Sequence, residues 1–277
     1  MIRLVVCLNW LANACGSVLL APIGVLPGWL SATLAAAVTG VALVAVFKYT
    51  SNQRAIKRVK DDIKANLLAL KLFNTPSSVA LGAQGRVIVG AVRLFALALV
   101  PMLVMAVPVL LVLGQLSLWY QARPLAPGED AVVTLQLNPD AGPAWPNVQL
   151  EPCPAVDVTI GPVRVRSKRE VCWNIQARRP GRHRLVFRLG DQTAGKDLVI
   201  GERFMRVSSL RPGWDWSEAL MHPAEEPFPP GSPVRSIAID YPQRSAWTSG
   251  ADTWVVYWFV VSMVSGFAFR PLLNVNM

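Results

Sequence analysis

The sequence predicts an α+β membrane protein with about three transmembrane helices, a basic helical hairpin on the cytoplasmic side and an extracytoplasmic, antiparallel β-sandwich-like domain. Three observations lead there. Three apolar stretches approach the roughly 20 residues that a helix needs to cross the hydrocarbon core. Lysine and arginine crowd into one of the connections between them. From Glu129 onward the apolar period moves towards two, the period of a half-buried strand.

Composition agrees with the first observation. Only 16% of the 277 residues are charged, and the mean hydropathy is positive, as in a bilayer protein with a modest soluble part. The formal net charge of +10 raises nucleic acid as a partner. The basic residues lack interleaved aromatics and sit beside membrane segments, so no specific nucleic acid is expected.

The apolar stretches are Leu26 to Phe47, Leu94 to Leu118 and Trp254 to Phe269. The last is short, but Trp254, Tyr257 and Trp258 at its start and Arg270 at its end fit interfacial anchors. Leu4 to Leu20 is apolar but interrupted by Asn9 and Asn13 and followed by Pro22, Gly24, Pro27 and Gly28. It reads as an interfacial or partial-span segment. A signal peptide competes with that reading, because Arg3 precedes the run and Leu11-Ala12-Asn13-Ala14-Cys15 resembles a lipoprotein cleavage site.

The chain therefore divides into an N-terminal apolar segment (1–25), a transmembrane helix (26–47), the basic hairpin (48–93) and a second transmembrane helix (94–118). A β-rich domain with a Pro- and Trp-rich extension (119–252) and a last transmembrane helix with a short tail (253–277) complete it. The connection between the first two spans carries Lys48, Arg54, Lys57, Arg58, Lys60, Lys64, Lys71, Arg86 and Arg93 against only Asp61 and Asp62. The excess of positive charge assigns that side to the cytoplasm of a bacterial-type inner membrane and the β domain to the outside.

Within the hairpin, Ile56, Val59, Ile63, Leu67 and Leu70 recur at helical spacing and define one apolar face. Ser51 or Asn52 supplies the N-cap, and Lys57–Asp61 and Arg58–Asp62 are spaced to pair at i,i+4. Lys57, Arg58, Lys60 and Lys64 on the remaining surface are candidate contacts for anionic lipid or a partner. Asn74-Thr75-Pro76-Ser77-Ser78 marks the turn, after which a helix runs into the second span, with Arg93 at its boundary. Pro101 and Pro108 should bend or loosen that helix, and Gln115 adds a polar group near its far end.

In the β-rich part, Ala131–Leu137, Val163–Arg166, Val171–Ile175 and Leu185–Leu189 have strand composition or alternation. Asn138-Pro139-Asp140, Arg179-Pro180-Gly181 and Gly190-Asp191 separate them as turns, which suggests a sandwich over Glu129 to Val207 with Trp173 and Phe187 in its core. Ser208 to Gly250, rich in Pro and Trp, should wrap the sandwich or lie near the membrane, with one more strand at Ser236 to Tyr241. For Cys153 and Cys172 a disulfide and two reduced thiols are equal alternatives.

Catalytic signals are sparse. His183 lies between arginines in a strand, His222 lies in the Pro-rich stretch, and neither has a sequence partner for nucleophilic catalysis. Glu225 and Glu226 read as a solvated acidic turn. No phosphate-binding, zinc-protease or dinucleotide motif occurs, so no enzyme, metal or cofactor is expected.

Phe47-Lys48-Tyr49-Thr50-Ser51-Asn52-Gln53, Ile56-Lys57-Arg58-Val59-Lys60 and Leu70-Lys71-Leu72-Phe73, in this order of spans and hairpin, resemble the Oxa1 superfamily of membrane insertases. The likeness is to its smaller members related to the third subunit of the ER membrane complex, and it covers the spans and hairpin but not the β domain. It implies a non-enzymatic role in which a hydrophilic groove receives polar parts of a client, with Arg93 and Gln115 as candidate groove residues. The implied partners are lipid, nascent membrane proteins and the ribosome. Without the resemblance, the layout fits an anchored interaction protein whose β domain binds another envelope protein, or an accessory subunit of a larger membrane complex.

Overall fold

A computed structural model describes residues 2–72, 77–139, 145–249, 253–273 and 275, the side chains of 23, 69–72 and 77–83 excepted. The expected turn at Asn74-Thr75-Pro76 and the Asp140 end of another lie outside the described residues. The chain forms two compact units, one from Met1–Ala32 and Leu110–Tyr257, the other from Thr33–Val109 and Trp258–Met277.

The elements run in the order α1 (Ile2–Leu19), a 3-10 turn, α2 (Gly28–Thr50), α3 (Gln53–Leu72) and α4 (Ser77–Tyr120). Strands β1 (Asp130–Leu137), β2 (Val148–Leu150), β3 (Val156–Val165), β4 (Glu170–Ala177), β5 (Gly181–Leu189), β6 (Gln192–Ile200) and β7 (Leu210–Arg211) follow. The short α5 (Trp216–Met221), β8 (Val234–Ile239) and α6 (Trp254–Leu273) close the chain. Among the described residues, four helices are long and apolar enough to cross a membrane: α1, α2, the Gln84–Tyr120 part of α4, and α6. The one beyond the expected three is α1, an unbroken helix despite Asn9 and Asn13. Pro101 and Pro108 likewise lie inside α4 without ending it.

In the helical unit, α2 and α6 meet through small residues. A Cβ on Gly40 would stand 2.1 Å from the Ser262 carbonyl oxygen, and Ser265 Oγ donates to Ala37 O at 3.2 Å. Backbones approach this closely only where side chains are minimal, the usual device where no hydrophobic drive separates helix from lipid. Ala36 is fully buried one turn before Gly40. Helix α3 packs by Ile56 and Val59, both buried, and by Ile63, which lies over Gly90 of α4. The apolar face fades beyond Ile63, since Leu67 is exposed.

The β-rich unit holds two antiparallel sheets, ordered β3-β4-β1-β8-β7 and β2-β5-β6. Alternation dictates the register: Ala131, Val133, Leu135 and Leu137 of β1 are buried, as are Val171, Trp173, Ile175 and Ala177 of β4, and Val133 faces Trp173. A slip of one residue would turn both sets to solvent. Both sheets feed one buried cluster in which the Trp173 and Phe187 rings lie 5.2 Å apart. Gly161, with φ of +134°, passes over the Trp173 ring where the β3–β4 register shifts; a Cβ there would lie 2.7 Å from Trp173 Cδ1. Strand β8 lies between β1 and β7, so the five-stranded sheet is not complete at Val207 and needs a strand from beyond the Pro-rich stretch.

Candidate functional site

In the helical unit the basic surface is carried by α3. Asn52 rather than Ser51 caps it, its Oδ1 accepting from Ala55 N at 3.1 Å, which aims the helix from the end of α2. Once Ile56, Val59 and Ile63 are turned inward, Lys57, Arg58 and Lys64 are exposed and Lys60 is half-buried. The expected pairs Lys57–Asp61 and Arg58–Asp62 do not close: among the described residues neither reaches ion-pair distance, because surface pairs gain too little to order two long side chains. Partial burial holds Lys60 below the ordinary lysine range, with Arg270 and then Lys64 adding to the effect. The cluster is a concentration of positive charge, and among the described residues no carboxylate reaches it at ion-pair distance.

Arg93 is exposed on α4, among side chains that are apolar and open from Ile88 to Leu110. Gln115, the other candidate groove residue, is buried in the β-rich unit and about six helical turns away. Its Nε2 donates to Asn13 Oδ1 at 2.8 Å.

The Gln115 contact belongs to a polar junction where α1 joins the β-rich part. Asn13 Oδ1 also accepts from Arg206 Nη2 at 2.5 Å, Asn13 Nδ2 donates to Pro223 O at 2.6 Å, and Asn9 Nδ2 donates to Ala219 O of α5 at 2.6 Å. Asn9 and Asn13 are four residues apart and share one helix face. The rest of the surface of α1 leaves Leu4, Trp10, Leu11, Val18 and Leu19 exposed. Two asparagines that interrupt the apolar run are thus the docking face of the helix. Arg244 braces the same region: its Nε donates to the carbonyls of Trp119 and Ala122, and its guanidinium lies 4.0 Å from the centre of the Phe204 ring. Burial pushes its pKa down to about 10.

The Pro- and Trp-rich stretch seals an edge of the three-stranded sheet. Along β6, Gly195 O accepts from Arg211 Nη1 at 2.6 Å, Asp197 N donates to Glu225 Oε2 at 3.1 Å, and Val199 N donates to the Tyr241 hydroxyl at 3.0 Å. An edge left open would template pairing with another chain. Glu225 is therefore not part of a solvated acidic turn: its other oxygen takes bonds from Lys196 Nζ and, at 2.5 Å, from Ser208 Oγ, and only Glu226 is exposed. Lys196 occupies a core-facing position opposite Leu185, and Nζ also reaches Ser208 O at 2.7 Å and Oγ at 3.1 Å. Burial, opposed by Glu225, holds its pKa below the ordinary lysine value. Sequence reading missed this pair because its members lie 29 positions apart in chemically unremarkable contexts.

Of the remaining candidates, Cys153 and Cys172 are free thiols, and Cys172 Sγ lies 3.8 Å from Thr134 Oγ1 across the sheet. His183 Nε2 is 2.9 Å from Arg179 O, and His222 N donates to Glu218 O to close α5. Among the described residues no group of three or more His, Cys, Asp or Glu side chains converges on a metal-sized site.

Fold and junction together define an α+β membrane protein that has, among its described residues, four helices long and apolar enough to cross a membrane, and two antiparallel sheets. No protein-family model, curated protein or solved structure matches the chain.

Proposed function

We propose that the protein is a non-enzymatic, multi-pass component of membrane-protein or envelope biogenesis that acts in the manner of an insertase, with the basic helix α3 in the cytoplasm of a bacterial-type inner membrane. The β-rich unit, read as a sandwich, stands on the opposite side. The observation that carries this reading is the pairing of α3 with α4: a helix with a free basic surface is held by Ile63 at Gly90, beside a membrane helix whose apolar side chains are open from Ile88 to Leu110 and which carries the exposed Arg93. An apolar client segment packs along such a surface, while an arginine within it offers an acidic group of the client a partner and lowers the cost of its entry. Nascent chains, the ribosome and anionic lipid are the partners that suit the basic face.

Depletion of the protein, followed by insertion assays on a panel of membrane-protein reporters, tests the reading. Reduced insertion of a reporter subset, restored by the wild-type chain and not by Arg93→Glu, supports it. Normal insertion of every reporter refutes it.

One observation favours a second reading, an anchored interaction protein. The face of the five-stranded sheet away from the core carries Val132, Ile160 and Val163 exposed, with Ile160 and Val132 flanking Asn174 in one cross-strand row. An apolar row on a sheet that ends at β3 suits a protein partner. Loss of a copurifying envelope protein in the full-length Ile160→Lys variant, with reporter insertion intact, would favour this reading over the first.

A further inference from the structure

A cavity of about 360 Å³ opens on the β-rich unit, lined in part by Arg182, His183, Arg184, Asp197, Arg206 and Ser208. Its charges do not balance. Arg182 and Arg184 lie two positions apart on β5 and share a strand face. Asp197 stands directly opposite Arg184 in the β5–β6 register and offsets it. Arg182 and Arg206 have no such partner: among the described residues neither reaches a carboxylate at ion-pair distance. Arg206 is half-buried, and its guanidinium donates to the neutral amide oxygen of Asn13. Burial first, and Arg182 next, make its charge costly. The nearby Glu225 cannot relieve it, being bonded to Lys196, Ser208 and the Asp197 backbone.

We propose that this cavity binds the phosphate group of an anionic phospholipid, seated between Arg182 and Arg206. Planar guanidinium groups match phosphate oxygens by paired, charge-assisted hydrogen bonds, which suits arginine rather than lysine to the task. The lipid source follows from what adjoins the cavity. Arg206 is bonded to Asn13 on α1, and Trp10, one turn before Asn13 on that apolar helix, is 68% exposed. The ligand meets positive charge at one end and an apolar helix surface at the other, the division of a lipid headgroup from its acyl chains. This site is independent of the insertion reading, which rests on α3 and α4.

The full-length protein in neutral detergent, titrated with dioleoylphosphatidylglycerol, dioleoylphosphatidylcholine and inorganic phosphate and followed by native mass spectrometry and tryptophan fluorescence, tests the proposal. Phosphatidylglycerol is expected to bind at least about tenfold more tightly than phosphatidylcholine, and Arg182→Gln and Arg206→Gln each to remove about that preference. Arg166→Gln, an exposed arginine outside the cavity, is expected to leave it unchanged. Asp197→Asn removes the one carboxylate of the cavity and is expected to tighten binding. Arg182 is exposed, so its variant remains informative should Arg206→Gln fail to fold. Equal affinity in Arg182→Gln and Arg166→Gln overturns the site. Tight binding of inorganic phosphate that phosphatidylglycerol does not displace assigns it to a soluble anion and overturns the lipid.

Discussion

Lys196 and Glu225 form an ion pair inside the β-rich unit, the lysine side chain wholly buried and the glutamate side chain only 8% exposed. Removing one member of such a pair leaves an uncompensated charge in a medium that solvates it poorly, at a cost of about 3–5 kcal/mol. Replacing both with apolar groups of similar volume removes the desolvation problem together with the attraction. Glu225→Gln is therefore expected to lower full-length stability sharply in thermal unfolding in detergent, and Lys196→Met combined with Glu225→Leu to recover most of it. A double variant as unstable as the single one would show that the Glu225 bond to the β6 edge, not the charge, dominates.

Arg123 and Glu129 form a bidentate pair at 2.7 and 2.8 Å, and Glu129 also accepts from Ala126 N at 2.8 Å. The hydrogen bond from Arg123 holds the Glu129 carboxyl below its ordinary range, with burial opposing and Ala126 N assisting. A carboxyl whose folded pKa is depressed contributes stability that is fully present above its unfolded value, about 4.3, and is lost as pH falls through the folded value. Glu129→Gln is expected to flatten the acid limb of stability against pH and to leave the neutral-to-alkaline limb unchanged in shape. The pair is partly exposed, so the effect is a fraction of what burial would give.

The α2–α6 crossing tolerates no side chain at Gly40. Gly40→Val forces the helices apart or rotates one of them, since its Cβ would enter the Ser262 carbonyl. In a background lacking the four native cysteines, Ala37→Cys and Ser265→Cys should cross-link efficiently through a short bifunctional thiol reagent. Adding Gly40→Val should abolish that product, whereas Gly85→Val, which meets no neighbour, should not.

Sidedness is read by labelling single cysteines in intact cells and inverted vesicles. Lys57 and Ser167 are both exposed, one on α3 and the other beyond β3. Lys57→Cys should react from the cytoplasmic side and Ser167→Cys from the other, and the reverse pattern would remove the insertion reading. Lys196→Cys should be silent from either side because its side chain is buried.

Much of the secondary structure was legible in local pattern. The strand composition of Ala131–Leu137 and Val171–Ile175 marks strands whose alternate residues are buried, and Ile56, Val59 and Ile63 mark the docked face of α3. Strand β6 was not recognised, because Gly195, Lys196 and Asp197 interrupt its pattern; they make sense only beside Arg184 and Glu225. Asn9 and Asn13 looked like defects in an apolar segment, and nothing local tells that Ala219, Pro223, Gln115 and Arg206 await them.

By itself the sequence determined which segments are long apolar helices and which alternate as strands, because those properties depend on neighbours within a turn or a pleat. Only the tertiary structure decided that β8 enters the sheet beside β1, that Lys196 meets Glu225, and that Arg206 and Arg182 share one cavity. Each of these joins residues far apart in the chain. The free energy that selects them, burial of charge against its compensation and closure of a sheet edge, exists only once both partners have been brought out of water together.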